Sequence, residues 1–209
     1  ICGKTETAKI PDPCIGDKYC AGGVFDDMPA ADDWSHAGID YCVLFGLMSG
    51  IGNDLFDPAG ETTRAMLVSM LYRMAGEPDV SGLPELSFED VAPDAWYADA
   101  VRWAYANEVS VGVDDTHFAP DARLTRAQLV TMLYRAYGPE KGVRPRPIGG
   151  YTDWNTVPEW AYPAATWAVS MGLLYGTSSS QLSPNAGANR AQLAAFMMRT
   201  CELQSELDA

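Results

Sequence analysis

What the chain is short of narrows the field first. No apolar run approaches the roughly 18 residues of a membrane span, so membrane insertion is not expected. Histidine is nearly missing: His36 and His117 are the only two, at unrelated positions, and a histidine metal cluster is not expected. Basic residues are outnumbered 14 to 28, which leaves a formal charge of −14 and a pI near 4.3. That balance excludes a general attraction to nucleic acid or anionic lipid, so any bound anion must be gripped by local geometry. Gly-x-Ser-x-Gly and the phosphate loop are both missing. No carboxylate pair stands apart as a glycosidase pair would. Neither an enzyme nor a cofactor is expected.

Cysteine is sparse and uneven. Cys2, Cys14, Cys20, Cys42 and Cys201 are too irregularly spaced for a zinc site. Three of them crowd into the first 20 residues beside Pro11, Pro13 and Gly16. In an extracellular protein this reads as a short loop closed by a disulfide among Cys2, Cys14 and Cys20. Reduced or buried thiols are the alternative. The start at Ile1 rather than Met predicts a processed or excised chain.

What the chain does have is a core and a repeat. An apolar content of 47% opposes disorder. Trp34, Trp96 and Trp160 align the chain with itself at separations of 62 and 64 residues. Sixteen residues after each comes Gly50, Gly112 and Gly176; twenty-four after comes Pro58, Pro120 and Pro184; thirty after comes Arg64, Arg126 and Arg190. Six or seven residues before each Trp lies Asp27, Asp90 and Asp153, preceded by Phe25, Phe88 and Tyr151. So many landmarks at nearly fixed offsets establish three copies of one unit. The boundaries expected are a Cys-containing tail at 1–24 and repeats at 25–80, 81–143 and 144–209.

Each unit reads as helix–loop–helix. In the second, Asp94 is placed to cap a helix carrying Trp96, Tyr97, Ala100, Val101 and Ala104 at three- and four-residue spacing. A turn-rich loop follows through Val111–Asp115. Thr125 and Gln128 then form a capping box for a second helix, which ends at a basic last turn and Gly138. Thr63 and Asn189 cap the outer copies. One such unit cannot bury both helices alone, so the three must share a core. An all-α fold follows, with helix–loop–helix repeats in pseudo-threefold symmetry around a shared helical core, its second helices near the axis.

The chemistry concentrates where the second helix starts. A cation at the first helical position opposes the helix dipole at a cost of about 0.3–1 kcal/mol, yet Arg64, Arg126 and Arg190 repeat it. Two readings offset that cost. One is a salt bridge to Asp27, Asp90 and Asp153. The other is a bound anion held by the guanidinium together with free N–H groups of the helix start. Trp34, Trp96 and Trp160 are core residues by frequency, or half-exposed platforms for sugar rings. Gly50, Gly112 and Gly176 permit a left-handed turn, or let a ligand approach the backbone.

The run Phe88-Glu89-Asp90-Val91, Trp96-Tyr97, Ala100-Val101, Gly112, Phe118-Ala119-Pro120 and Leu124-Thr125-Arg126-Ala127-Gln128 resembles the S-layer homology (SLH) repeat, landmark for landmark. The likeness covers 25–76, 88–138 and 151–201. It implies a monomer with internal threefold symmetry, anchored at the bacterial cell surface. It also implies that a pyruvylated cell-wall polysaccharide binds in inter-repeat grooves lined by Asp27, Asp90, Asp153, Trp34, Trp96, Trp160, Gly50, Gly112, Gly176, Arg64, Arg126 and Arg190. The family's motif Glu is replaced by Met66, Gln128 and Gln192. Leu182 stands for Phe, and Glu108 stands where Gly46 and Gly172 stand in the other copies, so unequal grooves are expected. Two other classes compete besides catalysis: a calcium module, whose loop pattern the acidic loops lack, and a scaffold of the same fold that binds a protein partner.

Overall fold

The computed structural model describes residues 20–138 and 147–207. Cys2 and Cys14, two of the three cysteines among which the N-terminal disulfide is expected, lie outside the described residues. Cys201 is disulfide-bonded, and Cys42 is a buried thiol.

Six α-helices occur among the described residues: α1 (His36–Leu44), α2 (Arg64–Met74), α3 (Ala98–Ala106), α4 (Arg126–Tyr137), α5 (Tyr162–Ser170) and α6 (Arg190–Leu207). Strands are absent there, and backbone pairing between loops is limited to isolated bridges. The all-α expectation holds. The second helices start where their caps dictate. Thr125 accepts from Gln128 N, and the Gln128 side chain accepts from Thr125 N, a complete capping box. Asn189 and Gln192 reproduce it on α6. Before α2 only half survives: Thr63 accepts from Met66 N at 3.3 Å, and a methionine has no oxygen to return the bond.

The first helices depart from expectation. α3 begins at Ala98 with Tyr97 in the cap position and no side-chain cap bond, so Asp94 does not cap it. Trp34, Trp96 and Trp160 each lie two residues ahead of the first helical residue, in the entering turn. The apolar spacing that placed Trp96 inside the helix is that of an irregular turn running into one.

The chain divides into two compact units, neither of which coincides with a repeat. One contains residues up to Glu61, Arg73–Ala75 and the chain from Asn189 onward. In it α1 packs on α6, closely because Gly38 has no side chain: a Cβ there would lie 2.6 Å from Ala195 Cα. Ile39, Cys42, Leu193 and Met197 are buried in this unit, and the Cys42 thiol donates to the Ala194 carbonyl. The other unit comprises Thr62–Tyr72 and Gly76–Ala188. There α5 packs on α4, with Trp167 edge-on to Tyr134, and Trp103 of α3 meets Tyr72 of α2. α1 thus packs on α6 and α5 on α4, a first helix against the second helix of the repeat before it in cyclic order, and α3 touches α2 through the Trp103–Tyr72 pair. That pairing answers the argument that one repeat cannot bury both its helices.

Within the second unit the segments leading into the second helices meet. Leu124 N donates to Thr62 O, Thr62 N to Ala188 O, and Ala188 N to Leu124 O, at 2.8, 3.2 and 2.9 Å. These three residues are buried at 0%, 0% and 1% exposure, so the three bonds form a closed ring shielded from solvent.

Candidate functional site

The arginines that open the second helices are buried, with 4%, 6% and 6% of Arg64, Arg126 and Arg190 exposed. Each is held in the same way. Nε donates to a backbone carbonyl in the loop of the next repeat in cyclic order: Arg64 to Phe118, Arg126 to Leu182, Arg190 to Phe56. Nη2 donates to the Ser110 hydroxyl, the Tyr175 carbonyl and the Ser49 carbonyl respectively. The guanidiniums of Arg64 and Arg190 also lie 4.8 and 4.5 Å from the ring centroids of Phe118 and Phe56. Leu182 removes that contact for Arg126. Burial pushes each arginine below its ordinary pKa, and nearby carboxylates oppose the fall: Asp90 at Arg64, Asp153 at Arg126, Asp57 and Asp27 at Arg190.

Both sequence-level explanations of these arginines need correction. Among the described residues none of them forms an ion pair with Asp27, Asp90 or Asp153. Nor does the helix start keep N–H groups for an anion. In α4, Arg126 N donates to Ala186 O, Ala127 N to Pro184 O, Gln128 N to Thr125 Oγ1, and Thr125 N to the Gln128 side chain. Arg64 and Ala65 find Ala122 and Pro120 in the same way, and Arg190 and Ala191 find Gly60 and Pro58. The dipole's positive end is therefore met by carbonyls of a neighbouring loop, a fixed cradle that a cation at the first position also shares. That cradle is what makes a buried arginine tolerable here.

The recurrent aspartates build the loop that supplies those carbonyls. Asp27 accepts from the N–H groups of Phe56 and Asp57, Asp90 from Phe118 and Ala119, Asp153 from Leu182 and Ser183, all at 2.7–2.8 Å. The second donor in each pair is a left-handed, non-glycine residue immediately before the proline, with φ of 57°, 57° and 53° at Asp57, Ala119 and Ser183. Such a backbone is uncommon and strained. The bidentate carboxylate holds it. These bonds depress the pKa of Asp153, the Leu182 N–H most of all.

The glycines act by close approach more than by handedness. Only Gly112 of the three lies in the left-handed region, at φ 92°. At all three a Cβ would collide with the aromatic ring that opens the repeat: 2.4 Å from Phe25 at Gly50, 2.7 Å from Phe88 at Gly112, and 2.7 Å from Tyr151 at Gly176. The tryptophans are not core residues. Trp34, Trp96 and Trp160 are 58%, 65% and 55% exposed.

Arg64, Gly112 and Trp160, one from each repeat, come together around a groove of about 370 Å³ with Gln128, Val113 and Arg135. The other arginines lie beside their glycines, since Arg126 bonds the residue before Gly176 and Arg190 the residue before Gly50. Arg64 makes two protein hydrogen bonds, from Nε and Nη2; its Nη1 is left without one, and the residue lines the groove. Sequence reasoning missed Ser110 and gave Arg135 only the task of ending a helix. The signal for Arg135 was present: Arg73, Arg135 and Arg199 recur nine residues after Arg64, Arg126 and Arg190. Groups of three or more His, Cys, Asp or Glu able to hold a metal are absent among the described residues, and no helix there is long and apolar enough to cross a membrane.

Comparison with known proteins adds to this geometry. The family model described as S-layer homology domain matches residues 24–65, 87–130 and 150–194. A surface-layer 125 kDa protein of Lysinibacillus sphaericus is 32% identical over 75% of this chain and 13% of its own length. An S-layer protein of Bacillus thuringiensis subsp. finitimus is 27% identical over 94% of this chain and 23% of its own. An exoglucanase XynX of Acetivibrio thermocellus is 25% identical over 84% of this chain and 16% of its own. The chain thus spans less than a quarter of each of these relatives.

Proposed function

The chain belongs to the S-layer homology domain family, and from that premise we propose that it holds to the cell wall by gripping an anionic, pyruvylated polysaccharide in grooves like the one around Arg64. The coarser part follows from the family and its relatives: a non-enzymatic anchoring module at the bacterial cell surface.

One observation carries the finer reading. A buried guanidinium, fixed by Phe118 O and Ser110 Oγ, lines a groove walled by an exposed tryptophan. The carbonyl and the hydroxyl take up Nε and Nη2 and leave Nη1 without a protein partner. A ketal-linked pyruvate carries a carboxylate on a rigid ring, which suits a fixed guanidinium, while the sugar face suits Trp160. Long-range attraction works against binding on so acidic a chain, so the contact must be short and directional. In this reading Asp27, Asp90 and Asp153, with Gly50, Gly112 and Gly176, shape the loops. Contact with the ligand falls to Arg64, Arg126 and Arg190 and to Trp34, Trp96 and Trp160.

Arg64→Ala tests this poorly alone, because it also orphans buried carbonyls. Trp160→Ala is cleaner, since the side chain is largely in solvent. With a short, monovalent pyruvylated fragment, Trp160→Ala is expected to leave the melting temperature unchanged and weaken binding by about 1 kcal/mol. Arg64→Lys is expected to weaken it by about 2 kcal/mol while partly retaining the fold. Unchanged affinity in both variants would remove the glycan reading and put a protein-binding scaffold in its place.

A further inference from the structure

Among the described residues, the lining of the Arg64 groove contains two arginines, Arg64 and Arg135, and no Asp or Glu. On a chain with 28 acidic residues against 14 basic ones, that composition is unusual. Arg135 extends from the last turn of α4, is exposed, and makes no hydrogen bond or ion pair among the described residues. Its counterpart after α2's opening arginine behaves otherwise: Arg73 donates from Nη1 to the Leu47 carbonyl at 2.9 Å. The charge of Arg135 acts against that of Arg64, and Asp90 only offsets part of the burial cost there. Two like charges lining one groove, with no acid in its wall, raise each other's energy until an anion arrives.

We propose that this groove takes a stretch of ligand carrying two negative charges, one met by Arg64 and the second by Arg135. The inference rests on the glycan reading above and deepens it. The polymer unit seated here bears, beside its ketal carboxylate, a second acidic substituent within reach of the α4 C-terminus. Arg135 then selects for charge number, while Arg64 supplies the fixed fork. The apolar rim of Val111 and Val113, 51% and 54% exposed, leaves the ring between the two acids an uncharged surface to lie on.

The test uses the full chain and two probes: the 4,6-pyruvate ketal of a methyl hexopyranoside, with one charge, and its 3-O-sulfate, with two. Titrations are followed by NMR at the Arg64 Nε–H signal, assigned from its loss in Arg64→Lys, so that only this groove is read. The wild type is expected to bind the doubly charged probe about tenfold more tightly. Arg135→Gln should abolish that advantage and leave the singly charged probe within about twofold. Arg135→Lys should retain most of it, because this contact asks for charge more than for a fork. The advantage should also shrink as salt is raised. If Arg135→Gln keeps the advantage, or weakens both probes equally, the two-charge inference is overturned while the glycan reading stands. If neither probe shifts the wild-type signal, the glycan reading itself fails, and the inference with it.

Discussion

Glu108 occupies the left-handed position just after α3, at φ 57°, where Gly46 and Gly172 sit after α1 and α5 at 68° and 69°. The αL backbone costs an ordinary residue roughly 1–2 kcal/mol, and glycine's extra freedom when unfolded returns about 0.4–1 of it, so Glu108→Gly should stabilise the fold by roughly 0.5–1 kcal/mol. A rise in melting temperature checks this. Gly176 behaves in the opposite sense. An alanine there would place Cβ 2.5 Å from the carbonyl oxygens of Ser178 and Gln181, and a loss of about 1–3 kcal/mol is expected in denaturant melts. Asp153 adds a pH dependence. Its pKa is lowered in the fold by the Leu182 and Ser183 N–H groups. Its contribution is therefore complete above the unfolded carboxylate value and lost as pH falls through the lower folded value. Asp153→Asn should melt earlier at neutral pH and show a shallower decline on acidification. The identities of these residues were legible from their recurrence, but their tasks were not. An Asp six or seven residues ahead of a Trp looks like a partner for the nearest Arg until the backbone donors of a distant loop are in view. Trp96 likewise sits at a core-like spacing, and only the start of α3 at Ala98 puts it outside.

Among the second helices, α2 is the one with an incomplete cap. Thr63 serves Met66 N, and the bond that Gln128 and Gln192 return in α4 and α6 has no counterpart. Met66→Gln should supply it and raise stability by about 0.5–1 kcal/mol, read as a shift in the denaturant midpoint at constant slope. The starts of the second helices were readable from their caps, and the ends of α2 and α4 from a basic last turn, whereas α6 runs on to Leu207 with no basic residue in its last turn. The first helices were not, since α1, α3 and α5 have no side-chain cap to mark their starts.

For the molecule, three copies, an all-α fold and membership of the family could be read from the chain before any coordinates. What repetition could not tell is which helix pairs with which. Copies that resemble one another offer identical apolar faces, so a repeat folding on itself and one folding on its neighbour give the same pattern. The distinction rests on loop geometry: the second helix of each repeat donates its first N–H groups to the loop of the next, and the last repeat donates to the first.

The bonds joining Thr62, Leu124 and Ala188 carry a further consequence, one of arithmetic. Each of the three backbones gives one N–H bond within the ring and each carbonyl receives one, with the Thr62 hydroxyl adding a second bond to Ala188 O. Deleting a copy would orphan a buried N–H and a buried carbonyl, at about 1–3 kcal/mol apiece. A fourth copy would find every place taken. An array of stacked repeats is open-ended and can lengthen one copy at a time; this one is complete at three.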